Sequence, residues 1–218
     1  MLFTASDLIG DFEKPIYVSY DADICAHSRS GKVGCNKCLD VCPTGAITPA
    51  GDHVAIDGGI CAGCGTCAAV CPTGAASYAY PSRGDLLTRL QTLLGTYKKA
   101  GGVNPVVMAF DEAHGRPLID ALARHADGLP PNVLPFGVYS IAGVGHDTLA
   151  AAIAMGAEHV VLLGSPEHRD EHPSIVTEIS LLHGILTGLG YQPHAASLLI
   201  TADPDELGGA LKVLPQRK

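Results

Sequence analysis

The chain of 218 residues is 47% hydrophobic and 17% charged, with a net charge of −8 at pH 7. These values indicate a globular protein, long enough for one large or two small domains. No apolar run approaches the roughly 20 residues of a membrane helix, and the start lacks the pattern of a secretory signal, so we expect a cytoplasmic protein without a membrane span. The absence of a basic stripe argues against nucleic-acid binding. Composition carries no signal for the oligomeric state.

All eight cysteines fall between Cys25 and Cys71. Disulfides would be more widely spread and would need an oxidising compartment. One run is Cys35-x2-Cys38-x3-Cys42-Pro43, and a second, Cys61-x2-Cys64-x2-Cys67-x3-Cys71-Pro72, has the spacing that places three thiolates on one iron–sulfur cube and the fourth on a neighbouring cube. The pattern indicates electron transfer and no catalytic residue.

The cysteine region contains an internal repeat. The segment that ends at Cys25 matches the segment that ends at Cys61, and Pro43-Thr44-Gly45-Ala46 matches Pro72-Thr73-Gly74-Ala75. Cys25 is therefore the counterpart of Cys61. The first half carries extra residues within 26–34, which are polar and contain glycine, as a loop would.

Exchange of the fourth ligand between the halves predicts two clusters with four cysteines each, because the residues after the third thiolate begin a helical turn that directs the fourth sulfur away. The first set is Cys25, Cys35, Cys38 and Cys71, and the second is Cys61, Cys64, Cys67 and Cys42.

Zinc is the alternative metal, since Cys35-x2-Cys38 and Cys61-x2-Cys64 could form one four-thiolate site. That site would leave four repeated cysteines without a role. Two further alternatives stay open for the first site: His27 as a ligand in place of Cys25, and a three-iron cluster.

Residues 15–81 resemble the bacterial-type two-cluster ferredoxins in these cysteine runs. The resemblance implies two [4Fe–4S] clusters in an α+β module that transfers single electrons between partners. The module is preceded by an N-terminal extension, residues 1–14. Within the module, strands are expected at 15–20 and 76–80. A hairpin is expected from 46–49 and 53–56 around a turn at 50–52.

Residues 82–218 change to alternating helices and strands. A helix is expected from Ser82, with a capping box to Asp85, until Gly101. Four buried strands are predicted at 105–111, 132–139, 159–164 and 196–201, with helices at 117–126, 147–155, 174–189 and 204–213. This alternation predicts an α/β domain with a parallel four-stranded sheet, flavodoxin-like or Rossmann-like.

The loops after these strands lack a dinucleotide fingerprint. Asp111 and Glu112 would repel a phosphate, and Gly143-Val144-Gly145 is only a weak match. His168 and His172 fit a solvated loop better than a metal site, because Pro166 and Pro173 disfavour a helix that would align them. For His114 a structural role is expected over that of a general base.

Two stretches, 106–110 and 157–164, are similar to the α/β domain of the delta subunit of methyl-viologen-reducing hydrogenases, without that family's extra cysteines. The whole arrangement also resembles the ferredoxin-containing portion of larger iron–sulfur proteins associated with formate dehydrogenases. The chain would then be a section of a longer protein.

The sequence thus predicts an electron carrier that serves a redox enzyme of the formate dehydrogenase or hydrogenase type. One alternative is a complete oxidoreductase with a flavin or nicotinamide in the second domain. Another is an iron–sulfur assembly or sensor protein.

Overall fold

A computed structural model describes residue 14 and residues 17–27, 34–192 and 194–214. Most of the predicted extension at 1–14, the start of the strand predicted at 15–20 and most of the extra residues within 26–34 lie outside these ranges.

The first part of the chain contains two antiparallel strand pairs. Strand β1 (Val18–Tyr20) pairs with β4 (Ala76–Tyr78). The hairpin of β2 (Ile47–Ala50) and β3 (His53–Ile56) confirms its prediction. Two single-turn helices complete the module, α1 (Lys37–Asp40) and α2 (Thr66–Ala69). A 3-10 turn, Ala22–Ile24, precedes Cys25.

The two halves of the repeat are joined reciprocally. The backbone N–H of Asp21, at the start of the first half, donates to Ala75 O at the end of the second (2.8 Å). Asp57 N, at the start of the second half, donates to Ala46 O at the end of the first, also at 2.8 Å. Each half therefore supplies a backbone hydrogen-bond acceptor to the other half, and neither half satisfies these backbone N–H groups alone.

The rest of the chain forms a parallel four-stranded sheet. Its strands are β5 (Val106–Asp111), β6 (Val133–Val138), β7 (His159–Gly164) and β8 (Ala196–Ile200). Their spatial order is β6-β5-β7-β8, and every pairing is parallel. The sequence prediction of a parallel four-stranded sheet is confirmed, with strand bounds within one residue.

Helices cover both faces of this sheet, as buried parallel strands require. One face holds α3 (Arg83–Lys99), α5 (His146–Ala154) and α6 (His172–Gly188), and the other holds α4 (Gly115–His125) and α7 (Pro204–Lys212). A second 3-10 turn, Ile141–Gly143, lies between β6 and α5.

The cap predicted at the start of α3 is confirmed for Ser82, but the Asp85 carboxylate accepts from the Ser82 hydroxyl, where a capping box would have the Ser82 backbone N–H. The N–H of Asp85 donates to Ser82 Oγ at 3.2 Å, and the Ser82 hydroxyl donates to the Asp85 carboxylate at 2.6 Å. The helix ends before Gly101, whose φ of +87° is the left-handed conformation that favours glycine. Among the described residues, no helix is both long enough and apolar enough to span a bilayer.

We predict that Leu149→Ala destabilises the α/β domain by about 2–5 kcal/mol, because the side chain is fully buried and its loss leaves a cavity. Denaturant unfolding of the holoprotein measures the change. Leu189→Ala is the control, since that side chain is 67% exposed and should cost far less. Equal losses in the two variants would contradict the assigned core.

Candidate iron–sulfur centre

Each half of the repeat presents its cysteines through the same local structure. Cys38 and Cys67 are the second residues of the single-turn helices α1 and α2. The proline after Cys42 or Cys71 is followed by threonine and a glycine in the left-handed conformation, with φ of +66° at Gly45 and +73° at Gly74. The repeat inferred from sequence is thus also a repeat of backbone conformation.

The structure brings the eight cysteines to two cavities, each with about 340 Å³ of empty space including open solvent. Four cysteines line each cavity. The first is lined by Cys25, Cys35, Cys38 and Cys71, and the second by Cys42, Cys61, Cys64 and Cys67. Both halves of the repeat contribute to each cavity. All eight cysteines are free of disulfides.

The neighbours that shift the pKa of Cys38 and of Cys67 divide most of the thiols into the same two sets. Burial, followed by the nearby Cys35, Cys71 and Cys25, raises the pKa of Cys38. Because four thiolates this close repel one another, ionising them requires a compensating positive charge, which iron ions would supply.

The second cavity shows the same effect more strongly. Burial, assisted by Cys64 and Cys61 and more weakly by Cys38 and Cys42, raises the pKa of Cys67 to about 12. Cys38 thus belongs to the surroundings of both cavities, which places the two thiol sets next to each other.

Hydrogen-bond donors surround several of the sulfurs. The N–H of Ala76 donates to Cys71 Sγ at 3.4 Å, and the Thr66 hydroxyl donates to Cys64 Sγ at 3.4 Å. Burial alone would raise the pKa of Cys71, but donors from Ala76, Thr73 and Gly74 outweigh it and lower the pKa. Donors of this kind stabilise thiolates and tune cluster potentials.

The two equivalent threonines add a matching contact. Thr44 Oγ1 lies 3.7 Å from Cys42 Sγ, and Thr73 Oγ1 lies 3.7 Å from Cys71 Sγ. The last cysteine of each half therefore has the same neighbour at the same distance. Cysteine sulfurs with such hydrogen-bonding neighbours are suitable ligands for an iron–sulfur cluster.

His27 and Cys25 both line the first cavity and are both buried. His27 Nδ1 lies 2.7 Å from Cys35 O, and His27 O accepts hydrogen bonds from Gly34 N (2.6 Å) and Cys35 N (3.3 Å). Both ends of the extra segment in the first half are thereby tied together beside the cysteines.

The alternative metal is zinc. Because Zn–S bonds are about 2.3 Å long, the sulfurs around one tetrahedral zinc ion lie less than roughly 4 Å apart. Within the part of the chain that the structure describes, no three His, Cys, Asp or Glu side chains form a group that could hold a single metal ion.

Two buried glycines let aromatic rings close over the second set of cysteines. A Cβ at Gly63 would lie 2.7 Å from the Tyr17 ring, and one at Gly65 would lie 3.0 Å from the Tyr78 ring. The Tyr78 hydroxyl donates to Gly63 O at 2.7 Å. Both rings pack against the buried core of the module.

At the carboxyl end of the sheet, the side chains singled out in the sequence bond within the loops. His114 Nε2 lies 2.8 Å from Thr201 O, and the backbone N–H of His114 donates to the Asp111 carboxylate at 2.6 Å. Glu112 pairs with Arg116. These contacts fit the structural role expected for His114.

His168 and His172 do not share a helix. His172 begins α6, while His168 precedes it in a turn. Pro173 lies in the first turn of α6, where a missing N–H costs no intrahelical bond. The solvated loop predicted for both histidines holds for the exposed His168 but is wrong for His172, because the helix starts two residues earlier than predicted.

The loop between β6 and α5 lies beside the cysteines, which the sequence did not predict. The Tyr139 ring lies 5.2 Å from the Tyr17 ring and 6.1 Å from the Tyr78 ring, measured between centroids. A Cβ at Gly143 would lie 3.5 Å from Cys64 O. The only signal in the sequence was the pair Gly143 and Gly145, which resembled a weak nucleotide-binding pattern.

Comparison with known proteins agrees with the cysteine geometry. The family model described as a 4Fe-4S dicluster domain matches residues 33–75. This range includes every cysteine except Cys25. No curated protein matches the chain. The family match supports a ferredoxin-type 4Fe–4S domain and, with it, an iron–sulfur electron-transfer role.

We predict that Tyr78→Phe destabilises the protein by about 0.5–1.5 kcal/mol through loss of the bond to Gly63 O. The midpoint of denaturant unfolding measures the change. Tyr80→Phe is the matched control because Tyr80 is 69% exposed, and it should have little effect. A stability of Tyr78→Phe equal to that of the unmodified protein would refute the role of this bond.

Proposed function

We propose that this protein carries single electrons through two [4Fe–4S] clusters. The observation that carries the proposal is the division of eight free cysteines into two cavities of four, each with members from both halves of the repeat. The family match to a 4Fe-4S dicluster domain supports the same function.

In this proposal, Cys25, Cys35, Cys38 and Cys71 hold one cluster, and Cys42, Cys61, Cys64 and Cys67 hold the other. The bound clusters would supply one-electron chemistry. The protein supplies sulfur ligands, donors such as Ala76 N and the Thr66 hydroxyl, and a cover that limits water. No residue is assigned a catalytic role.

The proposal divides the chain into an extension (1–14), a two-cluster ferredoxin domain (15–81) and an α/β domain (82–218). The parallel strands have the order second-first-third-fourth, which matches the first four strands of flavodoxin-like folds and supports that assignment. The free thiols suit a reducing compartment, the cytoplasm.

For the partner we propose a redox enzyme of the formate dehydrogenase or hydrogenase type. The support is the resemblance of the α/β domain to the hydrogenase delta subunit and of the whole arrangement to formate-dehydrogenase-associated proteins. The net charge of −8 suits docking against a basic surface.

A second candidate function is a complete oxidoreductase with a flavin or nicotinamide site. Sheets of this order bind ligands where the strand order reverses, here at the carboxyl ends of β5 and β7. In this protein His114 bonds to both Asp111 and Thr201 near that point. Flavin absorbance in the purified protein would favour this candidate.

We predict about eight irons and eight labile sulfides per chain after anaerobic purification. Reduction should produce paramagnetic resonance signals from two interacting clusters, because the two thiol sets are adjacent. Zinc in place of iron, or four irons per chain, would refute the two-cluster proposal.

A comparison of single cysteine variants tests the exchange of the fourth ligand. We predict that Cys42→Ala and Cys61→Ala disturb the same cluster, while Cys35→Ala disturbs the other, because Cys42 lines the cavity of Cys61 and not that of Cys35. Resonance spectra and iron counts of the three variants measure this. Cys42→Ala and Cys35→Ala with matching spectra would show ligand sets without exchange.

A further inference from the structure

The two cysteine sets have different surroundings although the module that holds them repeats. The module itself forms both cavities, since the described residues that line the first belong to residues 20–76 and those that line the second belong to residues 18–67. Just outside the second cavity, the α/β domain approaches Cys64 with one loop and Cys42 with the start of a helix.

The loop is the segment Tyr139–Gly145, called here the cover loop. It begins where β6 ends, at the carboxyl edge of the sheet. It meets the cysteine segment backbone to backbone, since a Cβ at Gly65 would lie 3.1 Å from Gly143 Cα. A Cβ at Gly145 would lie 2.7 Å from Ala69 O, so only glycine fits there without displacement.

Aromatic rings extend this contact. Tyr139 of the cover loop packs against Tyr17 and Tyr78, and those two rings lie over Gly63 and Gly65 beside Cys61, Cys64 and Cys67. A hydrogen bond with Tyr17, together with burial, raises the pKa of Tyr139.

Hydrogen bonds and an ion pair within the α/β domain hold the residues that follow the cover loop, at the start of α5. The N–H of His146 donates to Glu178 Oε2 at 3.0 Å, and His146 Nδ1 lies 2.6 Å from the same oxygen. Arg83, which begins α3, pairs with Asp147 of α5. These bonds anchor the end of the loop, so its position follows from the fold of the sheet.

The other approach is a groove beside Cys42, lined by Asp40 and Pro43 and, across it, by Asp170, Pro173 and Thr177 near the start of α6. Its two carboxylates add negative charge near Cys42, with no basic residue in the lining. Buried surroundings and nearby negative charge both disfavour adding an electron to an anionic thiolate-bound cluster.

From these contacts we infer that the cover loop of the α/β domain sets the potential of one cluster, the one held by Cys42, Cys61, Cys64 and Cys67, by excluding water from it. The inference rests on the proposed function. It gives the α/β domain a role in electron transfer that needs no cofactor of its own, and Tyr139 and Gly143 are positioning residues in it.

The test is a redox titration of the holoprotein followed by paramagnetic resonance. In Tyr139→Ala the midpoint potential of one cluster should rise while that of the other stays. Removing the ring should admit water to the cluster beside the cover loop and not to the other cluster. The cluster that shifts should be the one disturbed in Cys61→Ala. Tyr139→Phe keeps the ring and should keep both midpoints near their original values.

A second variant acts through the backbone contact instead of the rings. Gly143→Val places branched methyl groups against Cys64 and Gly65 and should move the cover loop away, shifting the same midpoint upward. The matched controls are Gly184→Val, at a position with open space, and Tyr191→Ala, at a side chain that is 61% exposed. Both controls should leave the two midpoints unchanged.

Either of two results with both clusters present would overturn the inference: unchanged midpoints in Tyr139→Ala and Gly143→Val, or equal shifts of both clusters. These results would leave the electron-carrier function intact. A protein that binds no iron and sulfide would instead refute the proposed function, and the inference with it.

Discussion

The reciprocal closure of the two half-repeats is the constraint on which the cysteine geometry depends. Asp21 bonds to Ala75, Asp57 bonds to Ala46, and β1 pairs with β4 while β2 pairs with β3. Because the beginning of one half is held against the end of the other, the last cysteine of each half is carried to the first cysteines of its partner. The sharing of each cavity between cysteines of both halves is thus a consequence of how the backbone satisfies its hydrogen bonds.

Sequence spacing predicted those parts of the fold that short segments determine. The cysteine spacing predicted a helical turn at the third thiolate of each set, the turn at 50–52 predicted the hairpin, and alternating apolar runs located four parallel strands within one residue. These features follow from the residues within each segment.

Contacts between the two parts of the chain could not be predicted in this way. Gly143 and Gly145 invite a nucleotide-binding interpretation because glycine permits close approach of any backbone or ligand. In the structure the groups that approach are Cys64 O and Ala69 O, roughly 75 residues earlier in the chain. A single sequence shows that something must come close, and only the tertiary arrangement shows what it is.

The position of the cover loop gives two nearly equivalent sites different environments. A repeated module alone would hold its clusters in similar surroundings, with little to direct an electron from one to the other. Contact with the carboxyl edge of the sheet removes that equivalence, since the cover loop reaches Cys64 and Gly65 beside the second thiol set. Potentials depend on exposure and on hydrogen bonds to sulfur, so a contact at one of the two proposed clusters would make the two steps of a relay unequal in energy.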